Sequence, residues 1–216
     1  MPSCNAASGI LRPVLAPPLC WGCGGPARRR EPLCLPCRRL LRRLPPQPVL
    51  LGGVSAWAPL GYEGPARALV RALKFRGAVA LADAMAAQIA ANAPPGLLPP
   101  DAVLVPVPLH PRRLRARGFN QARVLADALG ERAGLPPADC LERVGAGRTQ
   151  VGLGRSGRRT GPAGHVRMRT AAAPARAVLV DDVVTTGGTL AACAAALRTA
   201  GAREVAAIAF ARTLGR

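Results

Sequence analysis

Two adjacent carboxylates, followed by a run of threonine and glycine, have the residue types in this sequence best suited to binding a ligand. Asp181 and Asp182 follow an apolar run at 178–180. The donors that come next are Thr185, Thr186, Gly187, Gly188 and Thr189. Glycine lets the backbone approach a ligand closely, and free N–H groups at a helix start favour phosphate. Because carboxylates repel phosphate, the pair would serve sugar hydroxyls or a cation, and the stretch predicts a site for a phosphoribosyl group.

These residues need a strand and a helix to hold them in place. The apolar run before Asp181 predicts a buried parallel strand, and residues 190–197 predict a helix. The order is therefore strand, acidic pair, glycine-rich turn and helix N-terminus. The positive end of that helix's dipole would face the phosphate.

The rest of the chain alternates predicted strands and helices, which predicts an α/β fold with a parallel sheet and helices on both faces. Predicted helices cover residues 66–73, 78–92 and 122–133, with Gly77 ending the first. Predicted strands cover residues 56–62, 101–108, 141–144 and 205–211, giving about five strands with the one before Asp181.

Residues 110–117 are predicted to form a basic loop between a strand and a helix. Four arginines fall within six residues, at positions 112, 113, 115 and 117. A solvated loop explains them, and so does an anion clamp, because ligands of open α/β sheets bind at the carboxyl ends of strands. Lys74, the only lysine in the chain, lies beside Arg76 and allows the same two interpretations.

Two Cys-x-x-Cys pairs near the N-terminus predict a metal site. The four residues are Cys20, Cys23, Cys34 and Cys37. Four thiolates suit a tetrahedral ion, and zinc is the best match; a redox dithiol pair and an iron–sulfur centre are the alternatives. The surrounding segment is short and rich in Gly, Pro and Arg, so a structural ion would supply its folding energy.

Composition bounds the domain organisation. We predict a disordered segment over 1–19, a zinc knuckle over 20–50 and an α/β domain over 51–216, with a boundary at 45–55 in which Pro45-Pro46-Gln47-Pro48 is an extended linker. The net charge of +19 comes from arginine, which is consistent with a phosphate-bearing partner and also with genome composition.

No apolar run is long enough to span a membrane, and the first residues show no signal pattern, so we expect a soluble, cytoplasmic protein.

The motifs together resemble one family. The stretch from Val178 to Thr189 resembles the motif with which type I phosphoribosyltransferases bind phosphoribosyl pyrophosphate (PRPP). Together with the Val-Pro-Val-Pro-Leu segment at 105–109, the Arg-Gly-Phe-Asn-Gln segment at 117–121 and the four cysteines, it resembles the ComF family of phosphoribosyltransferase-like proteins linked to DNA uptake. The resemblance runs from about Cys20 to Thr213.

The resemblance implies roles for further residues. The pyrophosphate-binding loop would be Lys74, Phe75, Arg76 and Gly77, a loop that in this superfamily often carries a non-proline cis peptide. The flexible loop that closes over PRPP would include Arg148, Thr149, Gln150 and Leu153. Downstream, Gly161 stands where the family has Asn and His165 where it has an aromatic residue, so loop closure and catalysis are less well supported than PRPP binding.

The implied reaction is displacement of pyrophosphate from C1 of PRPP, with Mg²⁺ neutralising the leaving group. Asp181 and Asp182 would hold the ribose hydroxyls as the catalytic pair, and the residues from Thr185 to Thr189 would hold the 5-phosphate. The alternative is a non-catalytic accessory protein that binds single-stranded DNA beside a DNA-uptake helicase. That alternative has few aromatic residues for base stacking, since the chain has only six.

Overall fold

The computed structural model describes residues 18–144 and 165–214 and shows a mixed α/β chain. The described strands are β1 Val49–Leu51, β2 Val54–Trp57, β3 Leu60–Gly61, β4 Val103–Pro106, β5 Leu141–Val144, β6 His165–Met168, β7 Arg176–Val184 and β8 Glu204–Arg212. The described helices are α1 Leu35–Arg39, α2 Gly64–Arg76, α3 Leu81–Asn92, α4 Pro111–Arg117, α5 Gln121–Ala133 and α6 Gly188–Thr199.

A six-stranded sheet forms the centre of the molecule. Its strands run in the order β1-β2-β8-β7-β4, and β3 also pairs with β8. Every pair is parallel except β1 with β2. The carboxyl ends of β4 and β7 therefore meet at one edge, which is where parallel α/β sheets bind ligands. Strands β5 and β6 pair antiparallel as a separate ribbon.

Both faces of this sheet are covered, which confirms the predicted fold class. Alternate residues of β7 and β8 point to opposite faces, so both strands are apolar at nearly every position. Val178, Val180, Ile208 and Phe210 share one core cluster with apolar residues of α2, α3 and α5. Leu179, Ala207 and Ala209 share the other with α6 and the β5–β6 ribbon.

Residues 18–48, which we call the N-terminal module, pack directly on the α/β domain. Buried Cys20, Leu33 and Cys37 belong to the same core cluster as Trp57. Backbone hydrogen bonds join the two parts, from Leu44 N to the Pro59 carbonyl at 2.8 Å and from Gly61 N to the Arg42 carbonyl at 2.9 Å. The Trp57 indole donates to the Pro45 carbonyl at 3.0 Å. The module is therefore part of the folded core.

Two predicted elements differ from the structure. The stretch 110–117, predicted as a loop, is helix α4, because the His110 ring accepts from Arg112 N at 3.2 Å, Pro111 starts the helix and Gly118 ends it with a left-handed φ of 82°. The predicted boundary at 45–55 contains β1 and the start of β2, because the chain turns back at Gly52 and Gly53 and pairs Leu51 with Val54. The predicted extended linker at 45–48 precedes β1. Helix α3 also begins at Leu81, three residues later than the start predicted at 78.

Candidate functional site

The two carboxylates lie within β7, which continues past them to Val184. Since side chains alternate along a strand, Asp181 and Asp182 point to opposite faces of the sheet. Asp182 lies on the face covered by α2 and is 1% exposed, whereas Asp181 lies on the face covered by α6 and is half-buried. The pair therefore does not form a two-carboxylate clamp on one face.

Lys74, in the last turn of α2, neutralises the buried Asp182. Its Nζ lies 2.8 Å from Asp182 Oδ2. Apart from this ion pair, Oδ2 has no hydrogen-bond partner among the described residues. Removing the lysine would leave a buried charge unpaired, which costs several kcal/mol, on the order of 3–5. The single lysine of the chain is thus fixed at the carboxyl end of β7.

The Asp181 carboxyl has a pKa raised well above its usual value, first by burial and then by the neighbouring Asp182 charge, with Lys74 opposing the shift. Its Oδ1 accepts a hydrogen bond from Asp182 N at 2.8 Å. Burial, with the Asp181 charge nearby, also raises the pKa of the Cys193 thiol to about 12. A charge at Asp181 is therefore less favourable in the folded protein than in the unfolded chain.

We expect Asp181→Asn to stabilise the ligand-free protein at pH 8. A raised folded pKa means that the destabilising effect is absent below the ordinary aspartate pKa and grows as pH rises toward the folded value. The melting temperature should therefore rise by about 2–4 °C at pH 8 and by less at pH 6, a usual gain when a functional carboxylate is removed. Thermal denaturation of both proteins at the two pH values measures this.

The control is Glu204→Gln, at a carboxyl whose pKa is lowered by its hydrogen bonds with Arg176. Because the pKa of Glu204 is shifted down and not up, Glu204→Gln should not stabilise the protein at either pH. Equal melting temperatures for Asp181→Asn and the wild type at pH 8 would contradict the burial argument.

The Thr/Gly segment leads into α6 and leaves the start of that helix open. Gly187 is the N-cap with φ 82°, and no described side chain caps the helix. Its carbonyl accepts from Ala191 N at 2.8 Å, so the N–H groups of the first turn have no intrahelical partner. Thr185, Thr186 and Gly188 are exposed, and Thr189 is half-buried. The predicted phosphate-binding residues are therefore together at an accessible helix N-terminus.

The predicted pyrophosphate loop is the end of a helix. Lys74, Phe75 and Arg76 form the last turn of α2, and Gly77 caps it with φ 61°. The described residues contain no cis peptide bond, so the cis peptide that the family resemblance implied is not found there. The polar ends of Lys74 and Arg76 satisfy the usual preference for cations at a helix C-terminus.

Helix α4 and the segment after it face this turn across a cleft of about 570 Å³. Residues from both sides line it: Lys74, Phe75, Gly77, Leu109, Arg113, Ala116, Arg117, Phe119 and Gln121. Asn120 fixes the segment, since its Nδ2 donates to the Val107 carbonyl at 3.1 Å and its Oδ1 caps α5 at Ala122 N. Of these, Arg113, Arg117 and Gln121 were not predicted as site residues by number, although the arginine density of 112–117 indicated an anion clamp.

The predicted flexible-loop residues Arg148, Thr149, Gln150 and Leu153 fall outside the described residues. The described ends of that segment are β5 and β6, whose ribbon packs on α6.

The four predicted metal ligands come together. The Sγ atoms of Cys20, Cys23, Cys34 and Cys37 all lie within 4.8 Å of one another, and Cys23 and Cys34 are 3.7 Å apart. Four sulfurs bound tetrahedrally at about 2.3 Å stand about 3.8 Å apart. The cysteines are free thiols, positioned to bind one metal ion.

Backbone N–H groups also suit the site to thiolates. Gly22 N and Cys34 N each donate to Cys20 Sγ at 3.3 Å. Burial opposes ionisation, but these backbone hydrogen bonds outweigh it and lower the pKa of the Cys20 thiol to about 6. A Cβ at Gly22 would lie 2.9 Å from Cys37 Sγ, so only glycine fits between the ligand pairs.

The chain is similar in sequence to a known domain family and to known bacterial proteins. Residues 131–215 match the phosphoribosyl transferase domain. The DNA utilization protein YhgH of Salmonella typhimurium is 36% identical over 217 residues, which cover 98% of this chain and 90% of that protein. Competence protein F of Haemophilus influenzae is 37% identical over 110 residues, 49% of this chain and 48% of that protein.

The chain belongs to the family of YhgH and competence protein F. This confirms the ComF resemblance and the phosphoribosyltransferase-like fold class. Among solved structures, a phosphoribosylpyrophosphate synthetase from Mycobacterium smegmatis matches 62% of this chain and 34% of its own, at 23% identity and a TM-score of 0.35. None of the helices in the described ranges has the length and apolar character needed to cross a bilayer.

Proposed function

We propose that the protein binds PRPP at the carboxyl edge of its sheet and acts as a phosphoribosyltransferase-like component of DNA utilization. The observation that carries this proposal is the ion pair between Lys74 and Asp182, at 2.8 Å. It joins the end of α2 to the strand that precedes the open N-terminus of α6. The proposed phosphate site, the acidic residues of β7 and the cationic end of α2 are therefore adjacent. Their order matches the order of the 5-phosphate, the ribose and the pyrophosphate in PRPP.

Each part of the site is suited to one part of PRPP. Thr185, Thr186, Gly187, Gly188 and Thr189 would hold the 5-phosphate. Asp181 would accept hydrogen bonds from the ribose hydroxyls, while the buried Asp182 carboxylate would position Lys74. Lys74, Phe75, Arg76 and Gly77 would border the pyrophosphate. These residues hold the sugar at C1 and give the departing pyrophosphate a cationic surface.

Two metal ions fit this account. Mg²⁺ prefers oxygen ligands, which the pyrophosphate and the acidic strand end offer, and it would neutralise the charge of the leaving group. For the four-cysteine site, we propose zinc in a structural role, because the donor set has four sulfurs and no open position. The domain limits predicted from sequence, a knuckle over 20–50 and an α/β domain over 51–216, remain our proposal.

The link to DNA rests on the relatives, whose names refer to DNA utilization and to competence. We propose that the protein acts in the cytoplasm on single-stranded DNA entering the cell, beside an uptake helicase. The alternative of a non-catalytic DNA-binding accessory protein is favoured by one observation, the exposed arginines of α4. DNA binding through phosphate contacts would weaken steeply as salt is raised.

The two halves of the proposed site can be tested separately with ribose 5-phosphate and pyrophosphate. Thr186→Val removes a hydroxyl beside the α6 N-terminus and should weaken ribose 5-phosphate binding by about 10- to 100-fold, the cost of one hydrogen bond to a charged group. Arg76→Gln should weaken pyrophosphate binding by a similar factor. Calorimetry with Mg²⁺ present measures both ligands on both variants.

The control is Thr199→Val, at the opposite end of α6, which should change neither ligand's affinity. Equal losses for both ligands in both variants would contradict the division of the site, and absence of ribose 5-phosphate binding in wild-type protein would contradict the phosphate-binding role of the Thr/Gly segment.

A further inference from the structure

The cleft between α2 and α4 is larger and more cationic than a simple pyrophosphate group requires. Its volume of about 570 Å³ is in the range of sites that enclose whole small ligands, roughly 300–1,000 Å³. Lys74, Arg113 and Arg117 line it, and among the described residues no carboxylate does. An anion larger than pyrophosphate would fit.

Within the part of the chain that the structure describes, the arginines of this cleft have no acidic side chain as a direct partner. Arg117 donates to Gln121 Oε1, and in the described ranges neither Arg117 nor Arg113 forms an ion pair with a carboxylate. Burial lowers the pKa of Arg117 and the nearby Arg113 charge lowers it further, although Asp182 opposes both. Two guanidinium groups that line one cleft without a direct ion pair are an arrangement that a bound anion would stabilise.

An aromatic ring stands at the rim of the same cleft. Phe75 is 69% exposed, although the chain has only six aromatic residues. The guanidinium carbons of Arg71 and Arg117 lie 5.9 and 5.5 Å from the centre of its ring. These distances are near the outer limit of a cation–π contact, about 6 Å, so the two arginines leave most of the Phe75 ring exposed. An exposed ring flanked by guanidinium groups is a stacking platform for a planar heterocycle.

We propose that this cleft binds a nucleoside diphosphate or triphosphate, with the base on Phe75 and the phosphates on Arg113, Arg117 and Lys74. The proposal rests on the proposed function, since it assigns a second ligand to the pyrophosphate end of that site. Because Lys74 would contact both ligands, the nucleotide and PRPP compete. The structure thus provides a means for nucleotide levels to regulate PRPP binding.

The test compares ADP with pyrophosphate, which has two phosphate groups but neither the ribose nor the base. Calorimetry on the full, metal-loaded chain should show ADP binding at least about 10-fold more tightly than pyrophosphate, as expected for one stacked base. Phe75→Leu should abolish most of this ratio, and Arg113→Gln should weaken both ligands by about 3-fold or more. Arg112→Gln, one residue away on α4 and outside the cleft lining, should weaken neither by as much as 2-fold.

The outcomes separate the two proposals. Equal affinities for ADP and pyrophosphate in the wild type, or equal losses of both in Phe75→Leu, would overturn the nucleotide site. So would Phe75-dependent binding of a single-stranded oligonucleotide with no binding of ADP. PRPP with Mg²⁺ should bind in a separate titration and should also displace ADP. If PRPP does not bind while ADP still binds in a Phe75-dependent way, the proposed function fails and the nucleotide site stands.

Discussion

Removal of the metal from the four-cysteine site is expected to lower the melting temperature by more than about 10 °C. Structural zinc sites contribute about 10–16 kcal/mol to the folding of small modules. Here the consequence extends beyond the module, because Cys20 and Cys37 belong to the same core cluster as Trp57 and Leu60 of the sheet. Losing the ion would therefore expose apolar surface on the α/β domain as well.

Thermal denaturation with and without a chelator, together with metal analysis, measures this effect. Cys37→Ser should lose the ion and show the same lowered melting temperature. Cys140→Ala is the matched control, since Cys140 is equally buried but lies outside the four-cysteine group. It should retain one ion per chain. A folded, metal-free wild-type protein with an unchanged melting temperature would contradict the structural role.

Gly187→Ala is expected to destabilise the protein by about 3 kcal/mol or more and to abolish ribose 5-phosphate binding. A Cβ there would lie 2.6 Å from the Leu51 carbonyl carbon and 2.7 Å from Gly52 N, and φ is 82°. The backbone of the β1–β2 turn thus presses directly on the phosphate-binding segment. To accommodate the added Cβ, the β1–β2 turn or the segment before α6 would have to move, and this would displace the start of α6.

Two neighbouring glycines are controls for this clash. Gly53 has φ 76° but no atom of the described residues within 4 Å of a Cβ, so Gly53→Ala should cost only the backbone strain, about 1 kcal/mol. Gly188 has a single neighbouring atom, at 4.0 Å, and lies in α6, so Gly188→Ala should leave stability nearly unchanged. Chemical denaturation measures all three, and a Gly187→Ala protein as stable as Gly53→Ala would show that the close contact is unimportant.

The sequence predicted the elements whose signals are local. An apolar run followed by acids and glycines identified β7 and α6, and Gly77 marked the end of α2. Helix α4 was not predicted, because a seven-residue helix dominated by arginine has no apolar period, and its start depends on the His110 ring. Strand β1 was not predicted, because three residues next to prolines form a strand only when β2 pairs with them.

The site was predicted in part for the same reason. The phosphate-binding segment and the four cysteines are contiguous or closely spaced motifs, so their residue types were sufficient. The partnership of Lys74 with Asp182 depends on how α2 packs across the sheet, and the sequence gives no local sign of it. The division of Asp181 and Asp182 between two faces became evident only because β7 continues to Val184.

PRPP binding at the end of β7 can be measured by calorimetric titration of PRPP with Mg²⁺ into the metal-loaded wild-type protein and into the double variant Asp181→Asn with Asp182→Asn. We expect saturable binding by the wild type with one site per chain and no measurable binding by a folded double variant. A folded wild type that does not bind PRPP, or a double variant that binds it equally well, would contradict the claim that this strand end is a PRPP site.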